Sequence, residues 1–198
     1  ATRLTPHQNC VSPGATTTTT TTRPPVASVP EGYWLVADNG EVYNFGDAAD
    51  LNCDATAKVT ATKRAVDIEA TPSGKGYIIL VSDRDPNSTE KQEQVIMCGD
   101  AAIDLSGPGW ALRPGEFTAS ISITPNGAGL WIFTNKGQVI TRGTAQRFAG
   151  AGGATDVYNL PLQGDVVSSV ATASGNGYWM LGSDGGVFSF GDAAFYGS

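Results

Sequence analysis

The amino-acid sequence predicts an all-β protein made of four repeated units of short antiparallel strands, preceded by an extended tail rich in threonine and proline. Three observations predict it: an apolar motif that occurs four times, a second motif that follows each copy of the first, and a run of threonines near the N-terminus. The composition fits a folded domain, because 40% of the 198 residues are hydrophobic and only 16% are charged.

The first motif is a glycine followed by four aromatic or aliphatic residues. Its copies are residues 32–36, 76–80, 129–133 and 177–181, and their glycines lie 44, 53 and 48 residues apart. A short apolar run of this kind, bounded by turn residues, is typical of a buried strand. Recurrence at a period between 20 and 50 residues is the signature of a repeat architecture.

The second motif has the form Phe-Gly-Asp-Ala-Ala and lies after each copy of the first. Its copies are residues 45–49, 98–102, 142–145 and 190–194, and their glycines lie 53, 44 and 48 residues apart. The intervals of 44 and 53 change places between the two motifs. The second unit therefore carries an insertion of nine residues between its motifs.

Each unit is predicted to contain four strands. The first strand is small and β-branched, the apolar motif is the second, and a tight turn such as Asp38-Asn39-Gly40 leads to the third. The predicted first strands are residues 66–70, 119–123 and 167–171, the third strands are residues 41–45 and 186–190, and a fourth strand is residues 194–198.

Four strands in a period near 45 residues are typical of a β-propeller blade. We predict a β-propeller of about four four-stranded blades, at residues 26–53, 65–105, 117–150 and 165–198. One such sheet cannot bury both of its faces alone, so neighbouring blades have to stack. We expect Trp34, Trp131 and Trp179, which occupy equivalent positions, to lie between blades.

The first unit lacks a clear first strand, because the threonine run and residues 23–26 fall where that strand should be. Three arrangements would account for this. The threonine segment could supply the missing strand, another chain could complete the ring, or the chain could belong to a longer array. We favour a compact four-bladed unit. The exposed edges of an unclosed ring would favour assembly.

Residues 1–25 are predicted to form an extended tail, separate from the repeat domain at residues 26–198. Seven consecutive threonines followed by Arg-Pro-Pro are typical of a mucin-like segment that carries O-linked glycans. The predicted glycosylation sites are Thr16, Thr17, Thr18, Thr19, Thr20, Thr21 and Thr22. A bare linker and a threonine strand paired with a sheet edge are the alternatives.

The three cysteines predict one disulfide in an extracellular protein. Cys53 and Cys98 are the leading pair, Cys10 with either of them is the alternative, and three unrelated thiols are a further interpretation. A zinc site is not indicated, because no C-x-x-C pair is present and the only histidine is His7. The chain begins with Ala1, so we expect a processed form or a fragment.

Residues 177–198 resemble the GYWLVASDGGVFSFGDAxFYGS tandem repeat found in secreted proteins of actinobacteria and related bacteria. The resemblance extends over about residues 26–198. It implies an extracytoplasmic, propeller-like array, often attached to other modules, and implies no catalytic residues. Cys98 and Arg142 replace the third-strand phenylalanine, and Thr144 replaces the aspartate, in the second and third units. These departures predict blades that are not interchangeable.

The charge and the length of the apolar runs argue against two classes of protein. The chain carries 12 Lys and Arg against 19 Asp and Glu, a formal charge of -7, and so lacks the basic surface of a nucleic-acid-binding protein. No apolar run reaches the roughly 20 residues of a membrane-spanning helix.

Catalysis has weak support in the sequence. With one histidine, in the tail, no Ser-His-Asp or Cys-His arrangement is available. Asp67 and Glu69 lie on one face of a predicted strand and could serve a glycoside hydrolase or a cation, or simply line a polar channel. The recurrent Asp47, Asp100 and Asp192 are interpreted as turn caps.

The insertion holds the best candidate for a metal site. Asp83, Asp85 and Asn87 place oxygen ligands at alternating positions, as in the start of a calcium loop. Ser88 and Gln94 depart from the EF-hand pattern, so a polar hairpin tip is the alternative. Apart from calcium we expect no cofactor. Asn87 also begins a glycosylation sequon.

These observations predict a non-catalytic extracellular module that binds or assembles at the bacterial cell surface. Adhesion, attachment to an envelope complex, and a building block of a filament or layer all fit. The expected partner is a protein or a second copy, contacted by Trp110 and the insertion. A carbohydrate-binding, lectin-like propeller is the alternative, and a glycoside hydrolase a weaker one.

Overall fold

The computed structural model describes residues 31–85, 87–88 and 93–197. Most of the regular structure in this part of the chain is β-strand. The strands are β1 (Tyr33–Val36), β2 (Val42–Phe45), β3 (Lys63–Ala70), β4 (Gly76–Asp83), β5 (Gln94–Gly99), β6 (Thr118–Ile123), β7 (Gly129–Thr134), β8 (Val139–Gly143), β9 (Val166–Ala171), β10 (Gly177–Gly182) and β11 (Val187–Gly191). Two single 3-10 turns lie at Thr56–Lys58 and Ala151–Gly153.

The strands form four small antiparallel sheets, one for each repeated unit. Sheet 1 is β1–β2, sheet 2 is β3–β4–β5, sheet 3 is β6–β7–β8 and sheet 4 is β9–β10–β11. The predicted all-β class is therefore confirmed, and the described residues form four small sheets. The apolar motif is the middle strand of sheets 2, 3 and 4, which explains its apolar character: a middle strand has neighbours on both edges.

The hairpin turns follow the predicted chemistry. Gly40 and Gly185 have φ angles of +88° and +89°, a region that only glycine enters without steric conflict. The turn at Gly40 brings Leu35 opposite Tyr43. Ala37 N–H donates to Glu41 C=O at 2.9 Å, so a loop of three residues joins the two strands and keeps them in one register.

Alternation along the middle strand gives each sheet two different faces. We call the face that carries the third residue of the apolar motif the tryptophan face. Its marker residues are Trp34, Ile78, Trp131 and Trp179. We call the opposite face, which carries the second residue, the tyrosine face. Its marker residues are Tyr33, Tyr77, Leu130 and Tyr178.

The hydrophobic core consists of three clusters, and each lies between the tryptophan face of one sheet and the tyrosine face of the next. Between sheets 3 and 4, for example, Trp131 and Phe133 pack against Tyr178 and Met180. The cluster between sheets 2 and 3 centres on Ile78, Leu80, Leu130 and Ile132, and the cluster between sheets 1 and 2 on Trp34, Val36, Tyr77 and Ile79.

The order of the sheets is also set by the first strands. β3 contacts β6, β6 contacts β9, and β1 contacts β3. The sheets therefore adjoin one another in chain order, and sheets 1 and 4 are the first and last of the stack. The predicted first strand of the first unit lies outside the described residues, as do the threonine run and Cys10.

The prediction of a fourth strand in each unit is wrong for the described residues, because residues 194–197 are not in a strand and the sheets have two or three strands. The segment after each third strand leaves its own sheet and runs to the next one. Gly143 N–H donates to Asp104 C=O at 3.0 Å, and Gly191 N–H donates to Ala149 C=O at 3.0 Å. The outer edge of a sheet is thus covered by the preceding unit.

A disulfide joins Cys53 and Cys98, with a Cα–Cα distance of 5.8 Å. This is the predicted leading pair. Cys53 lies in the segment that leaves sheet 1, and Cys98 lies on β5 of sheet 2. The bond therefore fixes covalently the same crossing that hydrogen bonds make between later units. Among the described residues, no helix is long and apolar enough to span a membrane.

Candidate functional site

The interface between consecutive sheets is built by a repeated set of contacts, and the first is made by the tryptophans. Each indole Nε1 donates to the backbone carbonyl of the residue 15 positions later: Trp34 to Ala49 at 2.9 Å, Trp131 to Gln146 at 2.6 Å, and Trp179 to Ala194 at 2.8 Å. This bond holds the start of the crossing segment against its own sheet. It thereby sets the direction in which the segment leaves.

The second contact lies where the crossing segment reaches the next sheet. An apolar side chain of the segment packs over the corner glycine after that sheet's third strand: Leu51 over Gly99, Ile103 over Gly143 and Phe148 over Gly191. A Cβ built on these glycines would lie 2.9, 3.2 and 2.9 Å from those side chains. The glycine itself is required by its own sheet, because its φ lies between +56° and +66° in all four units and a Cβ would lie 2.0–2.2 Å from the carbonyl oxygen of the residue before the apolar motif.

The segment after sheet 4 and the corner glycine of sheet 1 have the same residue types as these contacts but are not in contact with such a partner among the described residues. Phe195 and Tyr196 occupy the crossing segment of sheet 4 and are 60% and 89% exposed. Gly46 is the corner glycine of sheet 1, and the atoms nearest to it belong to the backbone of Glu31 and Gly32. An apolar segment is therefore present at one end of the stack and a glycine corner at the other.

The tyrosine face of sheet 1 is exposed. Tyr33 and Phe45 stack on each other with ring centroids 5.0 Å apart, and Leu35 and Tyr43 form the next pair along the two strands. Tyr33 is 54% and Leu35 50% exposed, whereas the matching Tyr178 and Met180 of sheet 4 are fully buried.

The tryptophan face of sheet 4 is exposed as well. Val170 and Leu181 are among the most exposed apolar side chains of the described residues, and Trp179 is half-buried. Trp131 and Phe133, at the matching positions of sheet 3, are fully buried. Of the three predicted inter-blade tryptophans, Trp131 is thus enclosed, and Trp34 and Trp179 are half-buried.

A cavity of about 350 Å³ lies at the outer edge of sheet 4, between β11 and the crossing segment of sheet 3. Its lining is mainly apolar and comes from β11 and from the crossing segment of sheet 3. Val157, Leu160, Val187, Phe188 and Phe195 all contribute. The tyrosine face of sheet 1 and the tryptophan face of sheet 4 are thus both apolar and exposed among the described residues.

Asp67 and Glu69, the candidate catalytic or cation-binding pair, lie between β3 and β6. Asp67 Oδ2 accepts from Ser120 Oγ and from Ile121 N–H, both at 2.8 Å. Burial raises the pKa of Asp67. Burial, with a further contribution from the charge of Asp67, raises the pKa of Glu69 to about 7. Ser120 also pairs with Ser169 of β9 at 2.8 Å. The pair thus belongs to a polar row that connects the first strands.

The recurrent aspartates of the second motif connect two turns of one sheet. Asp192 accepts from Thr172 Oγ1 at 2.9 Å and from Ser174 Oγ at 2.5 Å, and these bonds, that of Ser174 first, lower its pKa. Asp100 accepts from Thr71 and Ser73 in the same way. Their partners are hydroxyls of the preceding turn, a role more specific than the capping that the sequence predicted.

The candidate calcium residues form successive turns at the start of the insertion. Asp85 N–H donates to Asp83 Oδ1 at 3.1 Å, and Asn87 N–H donates to Asp85 Oδ1 at 2.8 Å. Glu93 accepts from Asp83 N–H at 3.1 Å and from Thr118 Oγ1 at 2.6 Å, and so anchors the end of the insertion to sheet 3. Within the described ranges, no group of three or more Asp, Glu, His or Cys is placed to hold a metal ion.

Trp110, the candidate contact residue, is half-buried in the crossing segment between sheets 2 and 3. The Arg142 guanidinium lies over its ring at 5.4 Å and donates to Pro108 C=O at 2.8 Å. Arg142 stands where the first and fourth units have Phe45 and Phe190, and in the third unit it makes a cation–π contact at this position.

Sequence reasoning missed the two end surfaces, because it assigned the segment after each third strand to its own sheet. The signal that could have identified them is the apolar residue four or five positions after each corner glycine: Leu51, Ile103, Phe148 and Phe195. The chain matches no known family model, and none of the curated proteins matches it.

Proposed function

We propose that the chain is a β-propeller-type blade array that acts as a non-catalytic extracellular binding and assembly module of the bacterial cell surface. The observation that carries the proposal is the pair of uncovered apolar surfaces at the ends of the stack: the tyrosine face of sheet 1 and the tryptophan face of sheet 4. A contiguous apolar surface on a folded protein marks an interaction site.

The blade interpretation is supported by the way the sheets stack. Consecutive sheets pack face to face, and their first strands β3, β6 and β9 lie side by side. The small polar side chains on these strands, such as Ser120 and Ser169, suit the crowded centre of a radial array. About four blades agrees with the four sheets of the described residues.

The extracellular setting is supported by the disulfide and by the tail. Disulfides persist in oxidising compartments and are rare in the cytosol. A threonine-proline segment of the kind at residues 16–25 serves in secreted proteins as a glycosylated spacer. The two features belong to different parts of the chain and favour the same location.

Light scattering of the full chain, eluted from a size-exclusion column over a wide range of concentrations, tests the proposal. Self-association that rises with concentration supports it, as does retention of a purified cell-surface protein by the immobilised chain. A protein that stays monomeric throughout and retains no envelope component contradicts it.

A lectin-like function has one observation in its favour: polar clefts recur between consecutive sheets. One of about 300 Å³ is lined by Asn126, Gln146 and Asn176 around Trp131, and one of about 180 Å³ by Ser73, Asp100 and Asn126. Glycan-array binding that is lost in Asn126→Ala would favour this function over the first. The indole of Trp131 is fully buried, so these clefts lack the exposed aromatic platform on which sugars stack.

A glycoside hydrolase would depend on Asp67 and Glu69. Hydrolysis that disappears in Asp67→Asn and Glu69→Gln would support it. The hydrogen bonds of Asp67 to β6 favour a structural role instead.

A further inference from the structure

We propose that the occupant of the exposed tryptophan face of sheet 4 is the tyrosine face of sheet 1 in a second copy of this chain. The contact is head-to-tail and repeats the interface between consecutive sheets inside one molecule. It rests on the proposed assembly function and specifies which surfaces assemble and in which orientation.

The first argument is that the two surfaces are the two halves of an interface already present three times. Within the chain, a tryptophan face always packs on a tyrosine face. The stack begins with an uncovered tyrosine face at Tyr33 and ends with an uncovered tryptophan face at Trp179. Two tyrosine faces, or two tryptophan faces, never meet in the described chain.

The second argument is the crossing segment of sheet 4. In the three internal interfaces, an apolar side chain four or five residues after the corner glycine packs on the corner glycine of the next sheet. Phe195 and Tyr196 stand at these two distances from Gly191, and both are exposed. Gly46 of a second copy offers them the same corner that Gly191 offers to Phe148.

The third argument is charge. The chain has a formal charge of -7, yet the strand positions of both faces carry uncharged side chains. On sheet 1 they are Tyr33, Leu35, Tyr43 and Phe45, and on sheet 4 they are Ser168, Val170, Trp179, Leu181, Val187 and Ser189. The paired strand positions that would meet are therefore uncharged, and Glu41 lies at the margin of the sheet 1 face, where its Oε2 accepts from the Tyr43 hydroxyl at 2.7 Å.

The fourth argument favours a second molecule over closure within one. Both faces belong to one chain, where their effective concentration is high, and yet both are exposed. Among the described residues, the extensive contacts between strands of different sheets join consecutive sheets, and none of them joins sheet 1 to sheet 4. A contact between unlike surfaces of two copies is heterologous and produces closed rings or open filaments.

The test uses two full-length variants, each blocked at one end. Leu181→Lys places a charge on the tryptophan face of sheet 4, and Leu35→Lys places one on the tyrosine face of sheet 1. Both positions are at least 41% exposed, so the fold of the single molecule tolerates them. Each change is expected to weaken self-association at least about thirtyfold, as loss of a central apolar contact does. Leu181→Met and Leu35→Met are the matched controls and should assemble as the wild type does.

Mixing the two variants distinguishes the orientation of the contact. Each variant alone should be monomeric by light scattering, and an equal mixture should form a heterodimer and nothing larger, because each partner supplies one intact surface. If either variant dimerises alone, the contact joins two tyrosine faces or two tryptophan faces. The assembly function then stands, and the head-to-tail inference is overturned. A mixture that stays monomeric also overturns it.

A wild-type chain that is monomeric at every concentration overturns the inference too. The tyrosine face of sheet 1 would then be covered within the molecule, by its own sheet 4 or by its N-terminal segment. In that case, retention of an envelope protein decides the proposed function separately. Phe195→Ser with Tyr196→Ser is a milder variant at exposed positions, in case a lysine variant fails to fold. It should weaken assembly without changing the far-ultraviolet circular dichroism spectrum.

Discussion

The tyrosine faces of sheet 1 and sheet 4 have nearly the same side chains and opposite environments. Sheet 1 presents Tyr33, Leu35 and Phe45, and sheet 4 presents Tyr178, Met180 and Phe190 in the same register. The first set is largely exposed and the second is buried against sheet 3. The difference is one of position in the stack. A side chain in this fold is part of the core or part of the surface according to whether a preceding sheet is present.

The largest effect should come from comparing the two equivalent tyrosines. Tyr178→Ala removes a fully buried ring and the hydrogen bond from its hydroxyl to Thr155 C=O, and should lower the free energy of unfolding by about 3–5 kcal/mol. Tyr33→Ala should lower it by less than about 1 kcal/mol in the monomer. Urea unfolding at low protein concentration measures both. Equal effects would show that sheet 1 is covered.

The disulfide tests whether the crossing between sheets 1 and 2 depends on covalent fixation. The double variant Cys53→Ala, Cys98→Ala should lose about 4 kcal/mol of stability, as expected for a loop closed between residues 45 positions apart. Chemical denaturation of the variant, compared with the wild type under reducing and oxidising conditions, measures this. A variant as stable as the oxidised wild type would mean that packing alone holds the crossing.

The pH dependence of stability tests the polar row between β3 and β6. Because the pKa of Glu69 rises from 4.5 to about 7 on folding, the folded state binds more protons than the unfolded state between these values. Stability from this group is therefore highest below pH 4.5 and falls as the pH rises through 7, by up to about 3 kcal/mol.

Glu69→Gln should remove the larger part of that fall, so that the variant is more stable than the wild type at pH 8. The matched control is Glu41→Gln. Bonds from Tyr43 and then Asn39 lower the pKa of exposed Glu41, so it does not titrate in this range. Unfolding curves at pH 5.5 and 8 test both variants. A Glu69→Gln variant with the wild-type pH dependence would place the Glu69 carboxylate in water.

The smallest effects are expected for ion pairs at the two ends of the stack. Lys136–Asp165 joins sheets 3 and 4 at 2.8 Å, and Arg64–Asp38 joins sheets 1 and 2 at 2.7 Å. Both are exposed, so Lys136→Gln and Arg64→Gln should each change stability by less than about 1 kcal/mol. Thermal unfolding in low and high salt measures them. A large loss of stability in only one variant would show that the two sheet interfaces depend on ion pairs to different degrees.

The sequence predicted the all-β class and the apolar strands, because these depend on local pattern and spacing, and it named Cys53–Cys98 as the leading pair, with Cys10 as the alternative. It could not predict where the segment after each third strand goes. Residues 149–150 follow a corner glycine like that of every other unit, and they fit the edge of their own sheet as well as the edge of the next. That choice depends on the direction imposed by the bond from Trp131 to Gln146, which is a tertiary contact.

The exposed ends of the stack could not be predicted for the same reason. Tyr33 and Tyr178 have almost identical neighbours in sequence, and burial differs only through the sheet that precedes them. The role of the acidic pair on β3 could not be predicted for a similar reason. Alternation placed Asp67 and Glu69 on one face correctly, but their partners on β6 lie more than fifty residues away.

Because each segment crosses to the following sheet, the structure limits which deletions a gene for such a repeat protein can tolerate. A deletion of one whole period would place the Ile103 segment over Gly191 in place of Gly143, and a tryptophan face would again meet a tyrosine face. A deletion of half a period would remove strands from one sheet and with them part of a face that the interface needs. Recombination between repeats is therefore tolerated only in whole periods, and sheet number can vary through evolution while the contact between neighbours stays constant.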